Sequence, residues 1–360
     1  MGFSLSILPW IYTAKYINQS WKGNFEEKKH FSFEEELQLS SQDKSELLAK
    51  RNELGQLPMV SYTSQYGMGC FEGLKAFPQK DGSLKIFRPD ENAKRMKSSM
   101  EGLHMPGIDE KVFLNAVKGI AKRNQELGFT PEYASVWEKD NFLSGHSIYI
   151  RPFTYSEAAI GLGYSEAPWF IVISTPVSSY FGTGSSKAIT TDRIRATKRG
   201  TGWIKCDANY VIPTLAKKEA EQQGYMEAIF LDSMESKYIE EGSSSNFFIL
   251  LNDGTLVTPS LGDTILPGIT RKSIMTLAVD MGLTVVERQI SIEEALDAGK
   301  ECFVTGTAAG ISFLESMTHK GKTKVFNAGK MGELTKELLL TLKGIQYGSK
   351  EDKYNWMVSV

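Results

Sequence analysis

Apolar and polar residues alternate in several short segments of the chain. Residues 84–88 alternate after an Asp81-Gly82 turn, and residues 147–151 alternate again, which predicts two half-buried strands. Residues 169–173 are apolar throughout, a pattern typical of a strand buried on both faces. Two further apolar segments flank residues 252–254, where the sequence Asn-Asp-Gly predicts a hairpin turn.

Helical periodicity separates these strands. Residues 110–127 place apolar side chains on one face, which predicts an amphipathic helix. Asp90 follows Pro89 and precedes another such stripe, so we expect Asp90 to cap a helix. The stripe that begins at Ile274 predicts a helix that ends before Gly282. Helices and strands in both halves of the chain indicate an α+β or an α/β fold.

A small, polar and glycine-rich segment interrupts this pattern at residues 177–186. Its composition is typical of a linker between domains. We therefore expect an N-terminal domain over residues 1–176 and a C-terminal domain over residues 187–360. A chain of 360 residues is long enough to bury two separate cores.

The composition is that of an ordinary globular protein, with 41% hydrophobic and 23% charged residues. The formal net charge of -2 gives no reason to expect nucleic acid or a membrane surface as a partner. No apolar run reaches the roughly 18 residues of a membrane helix. The three cysteines and four histidines are dispersed, so we expect no disulfide framework, no bound metal and a cytoplasmic location.

Lys205 is the first candidate for chemistry. It follows a glycine-rich segment, with Trp203 and Ile204 before it and Tyr210 after it. A lysine that attacks a carbonyl must lose its proton, and an apolar setting favours that neutral form. The alternative interpretation is an ordinary surface lysine, which the surrounding glycines and aromatic residues make less attractive.

Glu240 and Glu241 are candidates for a second role. A carboxylate that faces the ring nitrogen of pyridoxal phosphate keeps this nitrogen protonated. Successive side chains of a strand point to opposite faces, so only one of the two glutamates would face inward. The local sequence does not distinguish them, and a solvated acidic pair is the alternative interpretation.

Glycine-containing turns supply candidate anion sites. Residues 268–270 (Gly-Ile-Thr) precede the helical stripe at Ile274, and backbone N–H groups at a helix N-terminus attract anions. A simple capped turn is an equally good interpretation. Arg151 shares a predicted strand face with Tyr149 and would suit a carboxylate, although a structural salt bridge is the more common role. A lysine, a glutamate and a phosphate-type turn, in that order, favour a pyridoxal phosphate enzyme.

Taken together, these segments resemble the branched-chain amino acid aminotransferases, which are pyridoxal phosphate enzymes of fold type IV. The resemblance runs from about Met59 to the C-terminus. It implies a smaller N-terminal α/β domain, a larger C-terminal domain built on a pseudo-barrel sheet, and an active site between them. The segments that carry it are residues 66–77, 149–152, 266–271, 306–308 and 345–348.

The resemblance also implies a role for each matching position. Lys205 matches the catalytic lysine, which joins the cofactor and carries a proton. The implied cofactor-binding residues are Lys205, Arg95, Tyr210, Glu241, Gly268, Ile269, Thr270 and Thr307. The implied substrate-binding residues are Tyr66, Phe71, Tyr149, Arg151, Tyr180, Thr307 and Ala308. Among them, Arg151 would receive the distal carboxylate of glutamate.

One position departs from the family pattern. The family often has two glycines between the lysine and an Asn-Tyr pair, whereas this chain has Asp207-Ala208. These bulkier residues are expected to change the turn beside Lys205. The CxxC pair associated with redox regulation in some members is absent, so we expect no such switch.

The expected reaction is a ping-pong transamination, in which L-leucine, L-isoleucine or L-valine gives its amino group to 2-oxoglutarate through pyridoxal 5'-phosphate. These small molecules are the expected partners, and the resemblance implies a homodimer. A D-amino acid aminotransferase or an aminodeoxychorismate lyase of the same fold type is the main alternative. Those families lack the motifs at residues 149–152 and 346–348. A catalytically silent scaffold protein is a further alternative.

Overall fold

The structure, a computed structural model, describes residues 5–28, 31–178 and 186–360. The chain divides into two compact units. The first unit comprises Met1–Ser179, Cys206–Ala208 and Gly344–Val360. The second unit comprises Tyr180–Lys205 and Asn209–Lys343.

Strands and helices are interspersed along the described chain. The strands are β1 (Trp10–Ile17), β2 (Ser20–Glu27), β3 (Leu74–Pro78), β4 (Leu84–Phe87), β5 (Ser147–Tyr155), β6 (Trp169–Val177), β7 (Lys187–Thr191), β8 (Glu227–Leu231), β9 (Ile239–Gly242), β10 (Asn246–Leu251), β11 (Leu256–Thr258), β12 (Val285–Glu287), β13 (Gly299–Gly306), β14 (Gly310–Phe313), β15 (Ser316–His319), β16 (Lys322–Val325) and β17 (Met357–Ser359). The helices are α1 (Phe33–Gln38), α2 (Ser41–Arg51), α3 (Tyr62–Tyr66), α4 (Pro89–Gly102), α5 (Glu110–Glu126), α6 (Val211–Gln222), α7 (Ile269–Asp280), α8 (Ile292–Ala298) and α9 (Glu333–Gln346).

The described part of the first unit is built on an antiparallel sheet with the strand order β17-β4-β3-β5-β6-β1-β2. Helix α5 packs across β1, β4, β5 and β6. Its buried face includes Phe113, Val117 and Ile120, as its periodicity predicts. The ring of Phe113 lies 5.9 Å from that of Phe170 on β6. Burying each such side chain contributes roughly 1.5–3 kcal/mol to stability.

The second unit is built on a mixed sheet. Its described strands follow the order β12-β11-β10-β9-β8-β7-β15-β16, and β13 pairs with both β10 and β14. Helix α6 packs on β7 and β8, and α7 packs on β12 and β13. Phe247, Ile249 and Val304 belong to its buried core. Strand β10 therefore pairs with both β9 and β13. Each of these three strands carries a side chain of the candidate functional site.

The structure confirms most of the predicted elements. Strand β4, the start of β5 and the start of β6 cover the three predicted strands, and β10 and β11 form the predicted hairpin. Asp90, however, is not a helix cap. Arg88 is the N-cap of α4 and Pro89 its first residue, which leaves Asp90 inside the first turn. Proline is favoured at the first helical position because its missing N–H group would be unpaired there anyway.

The two units differ from the predicted domains. The prediction places residues 206–208 and 344–360 in the C-terminal domain, whereas the structure groups both with the first unit. The first unit is therefore the larger one. The physical reason at the C-terminus is that β17 pairs with β4, as in the register Met357 to Phe87. The predicted linker at 177–186 lies largely outside the described residues.

None of the helices among the described residues combines the length and the apolar character needed to cross a bilayer. No group of three or more His, Cys, Asp and Glu side chains in the same part of the chain is arranged to hold a metal ion.

Tyr347 provides a test of the core of the first unit. Its buried ring stacks on Phe142 at 4.9 Å and meets Phe77 edge-on at 5.1 Å. Its hydroxyl donates a hydrogen bond to the His146 carbonyl at 3.0 Å. We expect Tyr347→Ala to lower the free energy of unfolding by about 3–5 kcal/mol because it leaves a cavity. Tyr347→Phe should cost about 1 kcal/mol. Urea denaturation measures both, and equal denaturation midpoints for the wild type and Tyr347→Ala would contradict the prediction.

Candidate active site

A hydrogen bond holds the Lys205 amine in the second unit. Its Nζ donates to the Tyr210 hydroxyl at 2.6 Å, and the side chain is half-buried. Asn209 holds the chain that leads to the lysine, since its side-chain amide donates to the carbonyls of Thr201 (2.6 Å) and Ile204 (2.9 Å). Lys205 and Tyr210, both implied by the resemblance, are therefore brought together by a supported loop.

Glu241 lies on β9 with a side chain that is only 3% exposed. Its Oε1 accepts from Nη2 of Arg195 at 2.6 Å, and the Arg195 side chain is 8% exposed. Burial raises the pKa of Glu241, while the positive charges of Arg195 and, more weakly, Lys205 oppose that rise. The carboxylate and the lysine therefore lie close enough to interact electrostatically.

Asn246 connects Glu241 to the segment that enters α7. It lies opposite Glu241 in the β9–β10 pairing. Its Nδ2 donates to Glu241 Oε2 at 3.1 Å and to the Leu266 carbonyl at 2.9 Å. Gly268 lies so close to Asn246 that a Cβ atom there would overlap the amide oxygen. A glycine is therefore needed where this segment passes the strand.

The N-terminus of α7 supplies an anion site. Gly268 is its N-cap, and no side chain caps the helix there. Ile269 and Thr270, the first two helical residues, are 9% and 8% exposed. Unpaired N–H groups and the helix dipole both favour a bound anion at such an end.

Thr307 and Ala308 follow the end of β13 and are half-buried. Two residues before Thr307, Thr305 pairs with Asn246 of β10. The hydroxyl of Thr305 is buried and has no hydrogen-bond partner among the described residues. The ends of β9, β10 and β13 thus bring the glutamate, the asparagine and this threonine-rich turn together in one sheet.

These residues fit pyridoxal 5'-phosphate. Lys205 has an amine that could join its aldehyde, and Glu241 has a carboxyl group that could face its ring nitrogen. The uncapped N-terminus of α7 supplies N–H groups for its phosphate. Lys205, Glu241 and the N-terminus of α7 all belong to the second unit.

In the first unit, Arg151 lies against two aromatic rings. It donates from Nη2 to the Tyr149 hydroxyl at 2.9 Å, and both residues lie on the same face of β5. Its guanidinium carbon lies 4.5 Å from the centre of the Phe71 ring and 5.2 Å from that of Tyr149. The structure therefore brings together three of the implied substrate-binding residues, with apolar ring faces around one cation.

The other implied residues have different surroundings. Arg95 donates from Nε and Nη2 to the carboxylate of Glu72 at 2.7 and 2.9 Å. This carboxylate is fully buried and also accepts from Asn92 at 2.6 Å. Tyr66 is 41% exposed, and its hydroxyl accepts from the Gly161 N–H at 3.0 Å. The roles of Arg95 and Tyr66 stay predictions, and Tyr180 lies outside the described residues.

The sequence reasoning missed Arg195 and Asn246. Arg195 lies in a charged segment, and nothing local distinguishes it from Arg193, which pairs with Glu219 at the surface. Asn246 opens a strand five residues after Glu241. An asparagine at a buried strand position was the available signal, because such an amide needs hydrogen-bond partners.

Glu240 faces away from the site but is also buried. Its side chain accepts a hydrogen bond from Thr264, and its Oε2 has no partner among the described residues. Burial, with a smaller contribution from the charge of Glu241, raises the pKa of Glu240 to about 7. The strand therefore carries two buried carboxyl groups, of which only Glu241 has an arginine in direct contact within the described chain.

Comparisons with known proteins agree with this geometry. The family model of class IV amino-transferases matches residues 69–316. The chain is 39% identical over 305 residues to a probable branched-chain-amino-acid aminotransferase of Staphylococcus epidermidis, covering 82% of this chain and 81% of the relative.

Solved structures resemble the chain as well. A branched-chain aminotransferase from Thermoproteus uzoniensis, crystallised with norvaline, has a TM-score of 0.72 at 26% identity and covers 86% of this chain and 95% of its own. A thermophilic relative, the T.th. branched-chain amino acid aminotransferase complexed with N-(5'-phosphopyridoxyl)-L-glutamate, has a TM-score of 0.71 at 26% identity, covering 85% and 94%. These matches confirm the expected fold type and the mixed organisation of helices and strands.

Glu240 leads to a pH prediction. The pKa of Glu240 is about 7 in the folded protein, higher than its ordinary value of 4.5. The protonated carboxyl group therefore contributes to the stability of the folded protein. This contribution is complete below pH 4.5 and is lost as the pH rises through about 7. We expect the wild type to lose about 3 kcal/mol of unfolding free energy relative to Glu240→Gln across this range. Urea denaturation at several pH values measures the difference, with Glu221→Gln as an exposed control. Parallel pH profiles for the wild type and Glu240→Gln would contradict the prediction.

Proposed function

Because the chain belongs to the class IV aminotransferases, a family that depends on pyridoxal 5'-phosphate, we propose that it is a branched-chain amino acid transaminase. It would transfer the amino group of L-leucine, L-isoleucine or L-valine to 2-oxoglutarate. The observation that carries the proposal is the group formed by Lys205, Tyr210 and the Glu241–Arg195 ion pair, all in one unit of a chain with these relatives.

Pyridoxal phosphate, when bound, withdraws electrons from the bonds at the α-carbon of an amino acid. The described residues suit the binding of such a group. Glu241, with Arg195 in contact, would remain ionised opposite the ring nitrogen. The N-terminus of α7, with Ile269 and Thr270, would bind the phosphate, and Thr307 and Arg95 would add further donors.

Lys205 would move the proton in each half-reaction. Its amine would remove a proton from the α-carbon of the amino acid and deliver it to the neighbouring carbon on the cofactor side. The Tyr210 hydroxyl, 2.6 Å from Nζ, would orient the amine. Because the base must reach both carbons, an amine on a flexible stem that the Tyr210 hydroxyl orients suits the task.

The substrate side would use residues of the first unit. The ring faces of Phe71 and Tyr149 would contact an apolar side chain, whose burial is worth roughly 1.5–3 kcal/mol. Arg151 would receive the distal carboxylate when glutamate or 2-oxoglutarate occupies the same place, since a buried carboxylate needs a partner. Tyr149 and the backbone at Thr307 and Ala308 would bind the α-carboxylate, and Tyr66 would add a further wall.

Two relatives support this pairing of ligands. The structure from Thermoproteus uzoniensis contains norvaline, and the T.th. structure contains a phosphopyridoxyl derivative of L-glutamate. An apolar amino acid and an acidic one are thus both ligands of proteins with this fold. A homodimer and a cytoplasmic location are further parts of the proposal. The homodimer rests on the resemblance, and the location rests on the dispersed cysteines.

The visible spectrum of the purified holoenzyme tests the proposal. We expect the cofactor absorbance to shift when L-leucine is added and to return when 2-oxoglutarate is added, because the two half-reactions interconvert the aldehyde and amine forms of the cofactor. Lys205→Ala should lower turnover by roughly 100-fold or more, since it removes the proton carrier. Lys218→Ala, an exposed lysine on α6, serves as the control.

Two results would contradict the proposal. A cofactor band that ignores L-leucine but responds to D-alanine would indicate the D-amino acid aminotransferase instead. A protein that never acquires a band with added pyridoxal phosphate would favour the silent scaffold.

A further inference from the structure

Asp207 lies two residues after Lys205 but belongs to the first unit. Its backbone N–H donates to the Gly69 carbonyl at 2.9 Å. The preceding residue, Cys206, forms an isolated antiparallel bridge with Cys70. The position of Asp207 in the first unit is therefore set by backbone pairing.

The first unit provides space for the Asp207 carboxylate at Gly69. A Cβ atom on residue 69 would overlap this carboxylate and would also lie 3.0 Å from the Thr63 methyl group. Any larger residue at 69 would displace the acid. The side chain at 207, where the family often has a glycine, is thus accommodated by a glycine on the opposite segment.

One segment of the first unit contacts both the Asp207 and the Arg151 side chains. The Asp207 carboxylate lies against Gly69, and two residues later the Phe71 ring lies 4.5 Å from the Arg151 guanidinium carbon. Asp207 and Arg151 belong to the same unit, and the positive charge of Arg151 opposes the effect of burial on the Asp207 carboxyl. Burial is the larger of the two effects and raises the pKa of Asp207 to about 6. The carboxyl group is therefore mostly ionised at neutral pH.

Arg151 already has other contacts. Its Nη2 donates to Tyr149, and its planar face lies over Phe71. Its Nε is buried and makes no hydrogen bond within the described residues. A dicarboxylic substrate that binds this guanidinium would have to share its charge with Asp207.

From this geometry we propose that Asp207 is a specificity-determining residue. Its carboxylate offsets the charge of Arg151 and thereby lowers the affinity for substrates with a second carboxylate, relative to substrates with an apolar side chain. The inference rests on the proposed function, in which Arg151 receives the distal carboxylate of glutamate. It assigns to this chain a weaker preference for 2-oxoglutarate and L-glutamate than a glycine at position 207 would allow.

The reason is electrostatic. A carboxylate bound at Arg151 and the nearby carboxylate of Asp207 repel each other, and the repulsion is larger in a partly buried site than in water. A neutral side chain meets no such repulsion. Removing the charge of Asp207 should therefore strengthen dicarboxylate binding by roughly three- to tenfold and leave apolar ligands almost unchanged.

Asp207→Asn in the holoenzyme is the first test, because it removes the charge at nearly constant shape. Calorimetry would give the Kd of glutarate, a dicarboxylate, and of 4-methylvaleric acid, a monocarboxylate with a branched apolar chain. We expect a lower Kd for glutarate only. The KM for 2-oxoglutarate should fall by a similar factor, with kcat and the KM for L-leucine within about twofold. Glu221→Gln on α6 controls for the change in net charge.

A double-variant cycle shows whether the effect acts through Arg151. In an Arg151→Met background, Asp207→Asn should no longer change the glutarate Kd, because the shared cation is gone. Asp207→Gly replaces Asp207→Asn if that variant does not fold. An unchanged or higher glutarate Kd in the folded variant would overturn the inference, as would an equal gain for 4-methylvaleric acid.

These outcomes are separable from those of the proposed function. An enzyme that does not transaminate L-leucine would refute the proposed function. The glutarate comparison would still decide whether Asp207 opposes a second carboxylate at Arg151.

Discussion

The buried ion pair between Glu241 and Arg195 is the interaction on which the rest of the candidate site depends. Both side chains are nearly inaccessible, and buried charges are costly unless they are paired and hydrogen-bonded. Removing one partner of such a pair typically costs about 3–5 kcal/mol. Asn246 and the Leu266 N–H complete the hydrogen bonds of the carboxylate. The Glu241 carboxyl group is thereby fixed in the sheet, where it interacts electrostatically with the Lys205 amine.

The strand order makes this arrangement possible. Because β9 and β13 both pair with β10, Glu241 and Asn246 lie on adjacent strands, and the turn at Thr307 directly follows the third strand. Asn246 also holds the Leu266 carbonyl, so the same residue that supports Glu241 positions the start of α7. The proposed ring-nitrogen partner and the proposed phosphate-binding helix end are thus connected through the side chain of Asn246.

The segment around Lys205 serves both units. The lysine and Tyr210 belong to the second unit, whereas residues 206–208 belong to the first. A substitution at 207 therefore changes the surroundings of Arg151 while the Lys205–Tyr210 hydrogen bond is formed elsewhere. If both proposals hold, position 207 can alter the selection of acidic or apolar substrates without a change at Lys205.

Local patterns predicted the elements that depend on local physics. The periodicity of α5, the Asn-Asp-Gly hairpin and the glycine that ends α7 all follow from residues within one or two turns. The resemblance identified Lys205, Tyr210 and Glu241 from their motifs, and the comparisons confirm the family. Arg195 could not be chosen over Arg193, because its role depends on a partner that lies far away in the chain.

Further features of the structure were not predicted from the sequence. Strand β17 is three residues long, and its place in the first unit follows only from its pairing with β4. The hairpin of β1 and β2 turns at Asn18 and Gln19, which both adopt left-handed conformations. The aromatic residues near this turn in the sequence do not predict it. The role of Gly69 also could not be predicted. The lack of a side chain at residue 69 matters because the Asp207 carboxylate occupies that space, and Asp207 lies far away in the sequence.

The most direct test of this account is the protonation state of the cofactor ring nitrogen. NMR of the holoenzyme reconstituted with ¹⁵N-labelled pyridoxal phosphate reports it through the nitrogen chemical shift. If Glu241 is held ionised by Arg195 and faces this nitrogen, the wild type will show a protonated nitrogen and Glu241→Gln an unprotonated one. An unprotonated nitrogen in the wild type, or the same shift in both proteins, would contradict the central claim.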